Sequence, residues 1–217
     1  MPPLSSPITI LIIALNVIFS LIGFSNKEME AKTIMWPYYV KRKNEYYRFI
    51  TSGFLHADMI HLFFNMFTLY FFGSNIEIAF SAYGLGGTVS YLALYFGGLV
   101  ISDIPSYFKY QDQINYRALG ASGAVSAVVF ATIVFSPWSS IYLYGAIKIS
   151  ALVYAILFLM YCIHMGKKGN DHINHDAHLW GAVFGLIFTI LLIALKKPGL
   201  FESIIEQLKN PSLFGRG

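Results

Sequence analysis

The chain has 217 residues, of which 56% are hydrophobic and only 12% charged, with a formal net charge of +4. An average soluble domain carries about 25% charged residues, and the mean hydropathy of +0.59 excludes a soluble globular domain as well as disorder, which needs low hydrophobicity and high charge. The 15 Lys and Arg are scattered over the loops with no concentrated basic face, which argues against a nucleic-acid partner.

The 15 basic and 11 acidic residues leave six charge-free stretches, 1–26, 59–76, 78–102, 118–147, 149–166 and 177–195. A run of about 20 apolar residues spans a bilayer as a helix. The stretches predict an all-α membrane protein with six helices at about 8–24, 58–76, 83–102, 119–136, 146–165 and 176–195. They form one six-helix transmembrane domain over 1–199, followed by a short tail over 200–217. The partner of such a domain is the lipid bilayer.

In chain order, residues 1–26 lack the basic n-region of a signal peptide, so an uncleaved first span is expected. The long connection 25–57 interleaves Trp36, Tyr38, Tyr39, Tyr46 and Tyr47 with Lys41, Arg42, Lys43 and Arg48. Aromatics among cations suit the headgroup level, and a structured segment in the interface is expected. The second helix opens with His56, His61 and Asn65. The fourth opens with Gly120, Ala121, Ser122, Gly123 and Ala124. The fifth holds the one cysteine, Cys162; a single cysteine excludes an intrachain disulfide and is read as excluding a cysteine-based zinc site. The sixth opens with Asp176, Ala177 and His178. The tail starts at Lys196, Lys197, Pro198 and Gly199 and continues as a short amphipathic piece over 200–208, expected to lie on the surface.

Orientation is poorly encoded. The loops between helices 1–2, 3–4 and 5–6 hold six, two and two Lys and Arg, and the opposite side holds five. Taken plainly, the excess places the first loop in the cytoplasm; without that long loop the count is four against five, which decides nothing.

Polar residues inside membrane helices are costly and mark function by default. Helices 2, 4 and 6 all start from one side, so His61, Asn65, Ser122 and His178 share a layer just below that face at 1.5 Å rise per residue. His61 and Asn65 are spaced i, i+4 and point the same way. Gly120 and Gly123 on the fourth helix, and Gly181 and Gly185 in a GxxxG face on the sixth, let two backbones approach closely. Taken singly, each of these residues is packing glue; their coincidence in depth and side favours a functional polar site, whose chemistry the spacing leaves open. Metal binding is a minority reading. His172, His175 and His178 recur every three residues near Asp171 and Asp176, but neither HExxH nor a cysteine pair supports zinc, and His172 reads as a solvated loop residue.

With these residues in view, the chain resembles the rhomboid intramembrane serine proteases of the bacterial six-helix type. Gly120, Ala121, Ser122 and Gly123 resemble their GxSG motif on the fourth helix. Ala177, His178, Gly181 and Gly185 resemble AHxxGxxxG on the sixth, and His61 and Asn65 resemble HxxxN on the second. His56 also fits, and Glu77 follows Gly73 where the family often has an acidic residue. Two positions depart: Tyr47-Arg48 stands where a Trp-Arg pair is common, and Ser126 stands where some members stack a Tyr on the catalytic His.

The resemblance implies a Ser–His dyad with no metal and no cofactor. His178 would take the Ser122 proton as general base and return it to the leaving amine. The Ser122 backbone N–H with the His61 and Asn65 side chains would stabilise the oxyanion. It implies transmembrane protein substrates cut in or beside their spans, and a multi-pass location in a bacterial plasma (inner) membrane with the site toward the extracytoplasmic face, against the raw charge count. The alternatives are a catalytically inactive rhomboid-like protein that binds membrane clients, or a small His-lined transporter.

Overall fold

A computed structural model describes residues 6–143, 146–168 and 173–214. The first helix, α1 (Pro7–Ser25), begins on a proline whose missing N–H costs nothing in the first turn. The buried Glu77 carboxylate accepts the Ile8 N–H at 3.0 Å, the Thr9 N–H at 2.8 Å and the Thr9 hydroxyl at 2.7 Å. An anion at a helix N-terminus is favoured by the free amides and the dipole, so Glu77 ties the start of α1 into the bundle.

The connection that follows is ordered, as its composition predicts. It forms three short helices, α2 (Lys27–Thr33), α3 (Pro37–Lys43) and α4 (Arg48–Thr51). Asn26 caps α2, accepting the Met29 N–H at 2.9 Å, and Asn44 ends α3 in the left-handed region at φ 56. Arg48 is buried and joins these pieces. Its guanidinium pairs with Glu45 at 2.6 Å and donates to the carbonyls of Ala31 at 2.9 Å and Ile34 at 2.7 Å.

The second expected helix runs without a break from 59 to 82, as α5 (Met59–Thr68), a π-helical turn over Leu69–Gly73 and α6 (Ser74–Ala82). It is longer than the expected 58–76. Next come α7 (Gly87–Tyr110) and α8 (Ser122–Phe135). An antiparallel hairpin, β1 (Ser140–Leu143) and β2 (Ile147–Ser150), pairs Ser140 with Ser150 and Leu143 with Ile147. Its second strand occupies residues expected to start the fifth helix at 146, while the first lies in the expected connection. The chain closes with α9 (Ala151–Lys168), α10 (His175–Lys196) and α11 (Pro198–Leu208).

By length and composition, α1, α7, α9 and α10 can cross a membrane. The fold is an all-α, multi-pass membrane bundle carrying one small hairpin. The helix α8 has only 14 residues, about 21 Å at 1.5 Å per residue against a hydrocarbon core of about 30 Å. It is also buried almost all round, which makes it the central helix of the bundle. By contrast, α9 buries only Ala151, Ala155 and Cys162 and turns Ile156, Leu157, Met160 and Ile163 outward. The tail piece α11 docks on the bundle: Ile204 is buried, and the Gln207 carbonyl accepts the Trp138 indole N–H at 2.8 Å.

Candidate active site

The extended segment before α8 brings Ser122 to its place. The Met35 and Ala118 backbones exchange two hydrogen bonds of 3.0 Å, and the Gly120 N–H donates to the Ser52 carbonyl at 3.0 Å. Irregular backbone inside a membrane bundle persists where its polar groups find such partners. Gly120 turns the chain at φ +126, and a Cβ there would lie 2.7 Å from the His61 ring. Only glycine meets both the dihedral and the contact. Ser122 is then the first residue of α8, where the helix dipole favours negative charge.

The approach of α10 follows from its glycines. A Cβ on Gly181 would overlap the Gly123 carbonyl oxygen, and one on Gly185 would overlap the Ala127 carbonyl oxygen. On the opposite flank, a Cβ on Gly98 of α7 would lie 2.9 Å from the Ala124 Cα. Small residues thus set α8 between α7 and α10 at backbone contact, and His178 rides in on α10 one turn from its start. A Cβ on Gly123 would overlap the Ser102 hydroxyl.

On the third wall, Asp58 caps α5 by accepting the His61 N–H at 2.8 Å. Asn65 is buried, and its amide donates one hydrogen to the His61 carbonyl at 3.0 Å; a carboxamide NH₂ has a second to give. His56 packs edge-on against His61 with centroids 5.0 Å apart, and its Nδ1 lies 2.9 Å from the Ser20 hydroxyl. Its Nε2 is buried with no hydrogen-bond partner among the described residues. Burial pushes the His56 imidazole down to about 3; neighbouring His61 adds to the shift and Asp58 opposes it.

These walls enclose one cavity of about 320 Å³ lined by Ser122, His178, His61 and Asn65, with Ser126, Tyr154 and Phe158 among its other residues. The four polar residues singled out in the sequence therefore come together. Two further features were not read from it. Phe158 of α9 stacks on the His178 ring, with centroids 6.3 Å apart and planes at 25°. Cys162, His175 and His178 also converge, with one donor atom from each lying within 4.8 Å of the others. Counting cysteines alone misses this, because histidines from another helix complete the group. The signal in the sequence is the i, i+4, i+8 stripe of Tyr154, Phe158 and Cys162 on one face of α9. Asp171 and His172 lie outside the described residues.

A family model for the rhomboid domain matches residues 43–195. The chain belongs to the rhomboid family. It is similar to RHOMBOID-like protein 12, mitochondrial, of Arabidopsis thaliana, at 34% identity over 64% of this chain and 44% of that protein. Similarity to RHOMBOID-like protein 6, mitochondrial, of the same plant is 31% over 81% of this chain and 52% of that protein. With the presenilin-associated rhomboid-like protein A, mitochondrial, of Danio rerio, identity is 35% over 63% of this chain and 35% of that protein. The chain spans about half the length or less of these three relatives. As a rhomboid-family protein it is a multi-pass integral membrane protein, and the matched region contains Ser122, His178, His61 and Asn65 together with the glycine contacts described above.

Proposed function

We propose that this rhomboid-family protein is an intramembrane serine endopeptidase that cuts membrane-anchored proteins in or beside a transmembrane helix. The observation that carries the reading is the single cavity shared by Ser122, His178, His61 and Asn65. Ser122 is the nucleophile, and its Oγ forms the bond to the scissile carbonyl carbon as its proton passes to His178. The tetrahedral oxyanion is met by the Ser122 backbone N–H and the His61 and Asn65 side chains; one such donor is worth about 2.7–4 kcal/mol. His178 then protonates the leaving amine, and water repeats the sequence on the acyl-enzyme.

A helical peptide bond is shielded by its own hydrogen bonds, so a substrate must unwind locally, and small or helix-breaking residues near the cut are favoured. The substrate-facing wall, Phe64, Val125, Val129 and Phe130, is apolar and suits such a segment. The proposed location is a bacterial plasma membrane, with the cavity toward the extracytoplasmic face.

The test is cleavage of a model single-span substrate by the reconstituted protein. Ser122→Ala and His178→Ala each abolish it; Asn65→Ala lowers kcat by about 10²–10³. Cleavage that survives in both dyad variants rejects the mechanism. A fluorophosphonate probe should label Ser122 in the wild type and not in His178→Ala. If purified wild type neither cleaves nor labels while binding single-span proteins, the inactive client-binding reading replaces this one.

A further inference from the structure

The group formed by Cys162, His175 and His178 lies beside the proposed dyad, and the proposed hydrolysis does not use its first two members. Cys162 comes from α9, and His175 and His178 come from α10, where i, i+3 spacing sets them one above the other. Cys162 and His175 are buried, and donor atoms of all three lie within 4.8 Å of one another. The rings of His175 and His178 meet edge-on, with centroids 6.0 Å apart.

One thiol and two imidazoles form a donor set for a borderline-soft divalent ion and a poor one for Mg²⁺ or Ca²⁺, which take oxygen ligands. In a tetrahedral zinc site with Zn–S of about 2.3 Å and Zn–N of about 2.0–2.1 Å, donors stand roughly 3.3–3.6 Å apart. The three donor atoms already lie within 4.8 Å of one another, so closing to that spacing is a shift of little more than an ångström. The cavity supplies the route in, because His178 lines it together with Tyr154 and Phe158.

We propose that Cys162, His175 and His178 bind a Zn²⁺-like divalent cation that switches the protein off. Binding forms one Zn–S and two Zn–N bonds, and the Cys162 thiol releases its proton to water. The fourth position holds a water molecule. The metal occupies a ring nitrogen of His178, so the imidazole no longer accepts the Ser122 proton. The inhibitory part of this inference rests on the proposed dyad; the binding part stands without it.

The experiment uses the full chain in detergent, titrated with Co²⁺ as a spectroscopic substitute for Zn²⁺. The wild type should take up one Co²⁺ per chain, giving thiolate-to-cobalt absorption in the near ultraviolet and visible bands of four-coordinate Co²⁺. Zn²⁺ should erase both. Cys162→Ala removes the near-ultraviolet band, and His175→Ala weakens binding by at least about tenfold. Cys162→Ser, which keeps the volume, guards against misfolding and should behave like Cys162→Ala. In the cleavage assay Zn²⁺ should inhibit the wild type, a chelator should restore it, and both Cys162 variants should keep basal activity with at least about tenfold weaker inhibition. A wild type without the thiolate band overturns the site, and equal Zn²⁺ inhibition in the Cys162 variants overturns its role as the off switch. A wild type that shows the band yet cleaves nothing keeps the site and rejects the protease reading.

Discussion

Gly181 of α10 rests on the Gly123 carbonyl oxygen of α8, close enough that a Cβ would overlap it. The atom in the way is backbone, so it cannot rotate aside. Gly181→Ala should therefore push the two helices apart and cost about 1–3 kcal/mol, the usual range for overpacking. Thermal unfolding in detergent checks this, with Gly199→Ala as control, because nothing lies within 4 Å of a Cβ there. An unchanged midpoint for Gly181→Ala would show that the crossing tolerates separation.

Phe158 supplies the ring that stacks on His178. Such contacts are worth about 0.5–1.5 kcal/mol, so Phe158→Ala should lower kcat by roughly two- to tenfold while Phe158→Tyr retains the wild-type rate. Because α9 buries few residues, the midpoint of unfolding should move little. A rise in KM alone, without a change in kcat, would argue that Phe158 faces substrate and does not orient the imidazole.

His56 makes stability depend on acid. The folded protein keeps its imidazole neutral down to about pH 3, whereas an unfolded histidine takes up its proton below about 6.5. Between those values the unfolded chain binds the extra proton. The stabilisation is full above about pH 6.5 and erodes as pH falls, by at most about 1.4 kcal/mol per unit. Thermal midpoints at pH 7.5 and 5 should differ more in the wild type than in His56→Gln. Equal differences in both would assign the acid sensitivity to other groups.

Arg48 stands at the head of a chain of contacts that ends at Gly120. Its carbonyl accepts the Ser52 hydroxyl at 2.6 Å, and the Ser52 carbonyl accepts the Gly120 N–H at 3.0 Å, two residues before Ser122. Arg48→Ala leaves Glu45 and two carbonyls without their donor and should cost about 3 kcal/mol. Lysine should not rescue it, since one ammonium cannot reproduce a planar fork aimed at three acceptors. Limited proteolysis within 27–51 reads the loosened loop, and substrate cleavage reads the displaced Ser122.

Ser122, His178, His61 and Asn65 were legible in the sequence because each sits near the start of an apolar stretch on the same side of the bundle. Chain connectivity alone then fixes their common depth. The glycine faces were legible in Gly123, Gly181 and Gly185, but Gly120, expected on the same helix face, lies before α8 at φ +126 and meets the His61 ring instead. The hairpin at 140–150 was not: residues from 146 read as helix and those before it as a connection, and strand pairing depends on a turn that hydropathy does not register. The short α8 was hidden for a related reason. Residues 118–121 are as apolar as a helix, but their hydrogen bonds go to Met35 and Ser52, partners far away in the chain.

The sequence by itself determined that the protein lives in a membrane and which apolar stretches carry its polar residues. These follow from local composition and the helical period. The tertiary structure decided what surrounds His178. Phe158 on one side, and Cys162 with His175 nearby, are brought there by the rotation of α9 about its own axis and its packing against α10. No local pattern encodes that rotation, because α9 is apolar on nearly every face and only contact with its neighbours selects the face turned inward.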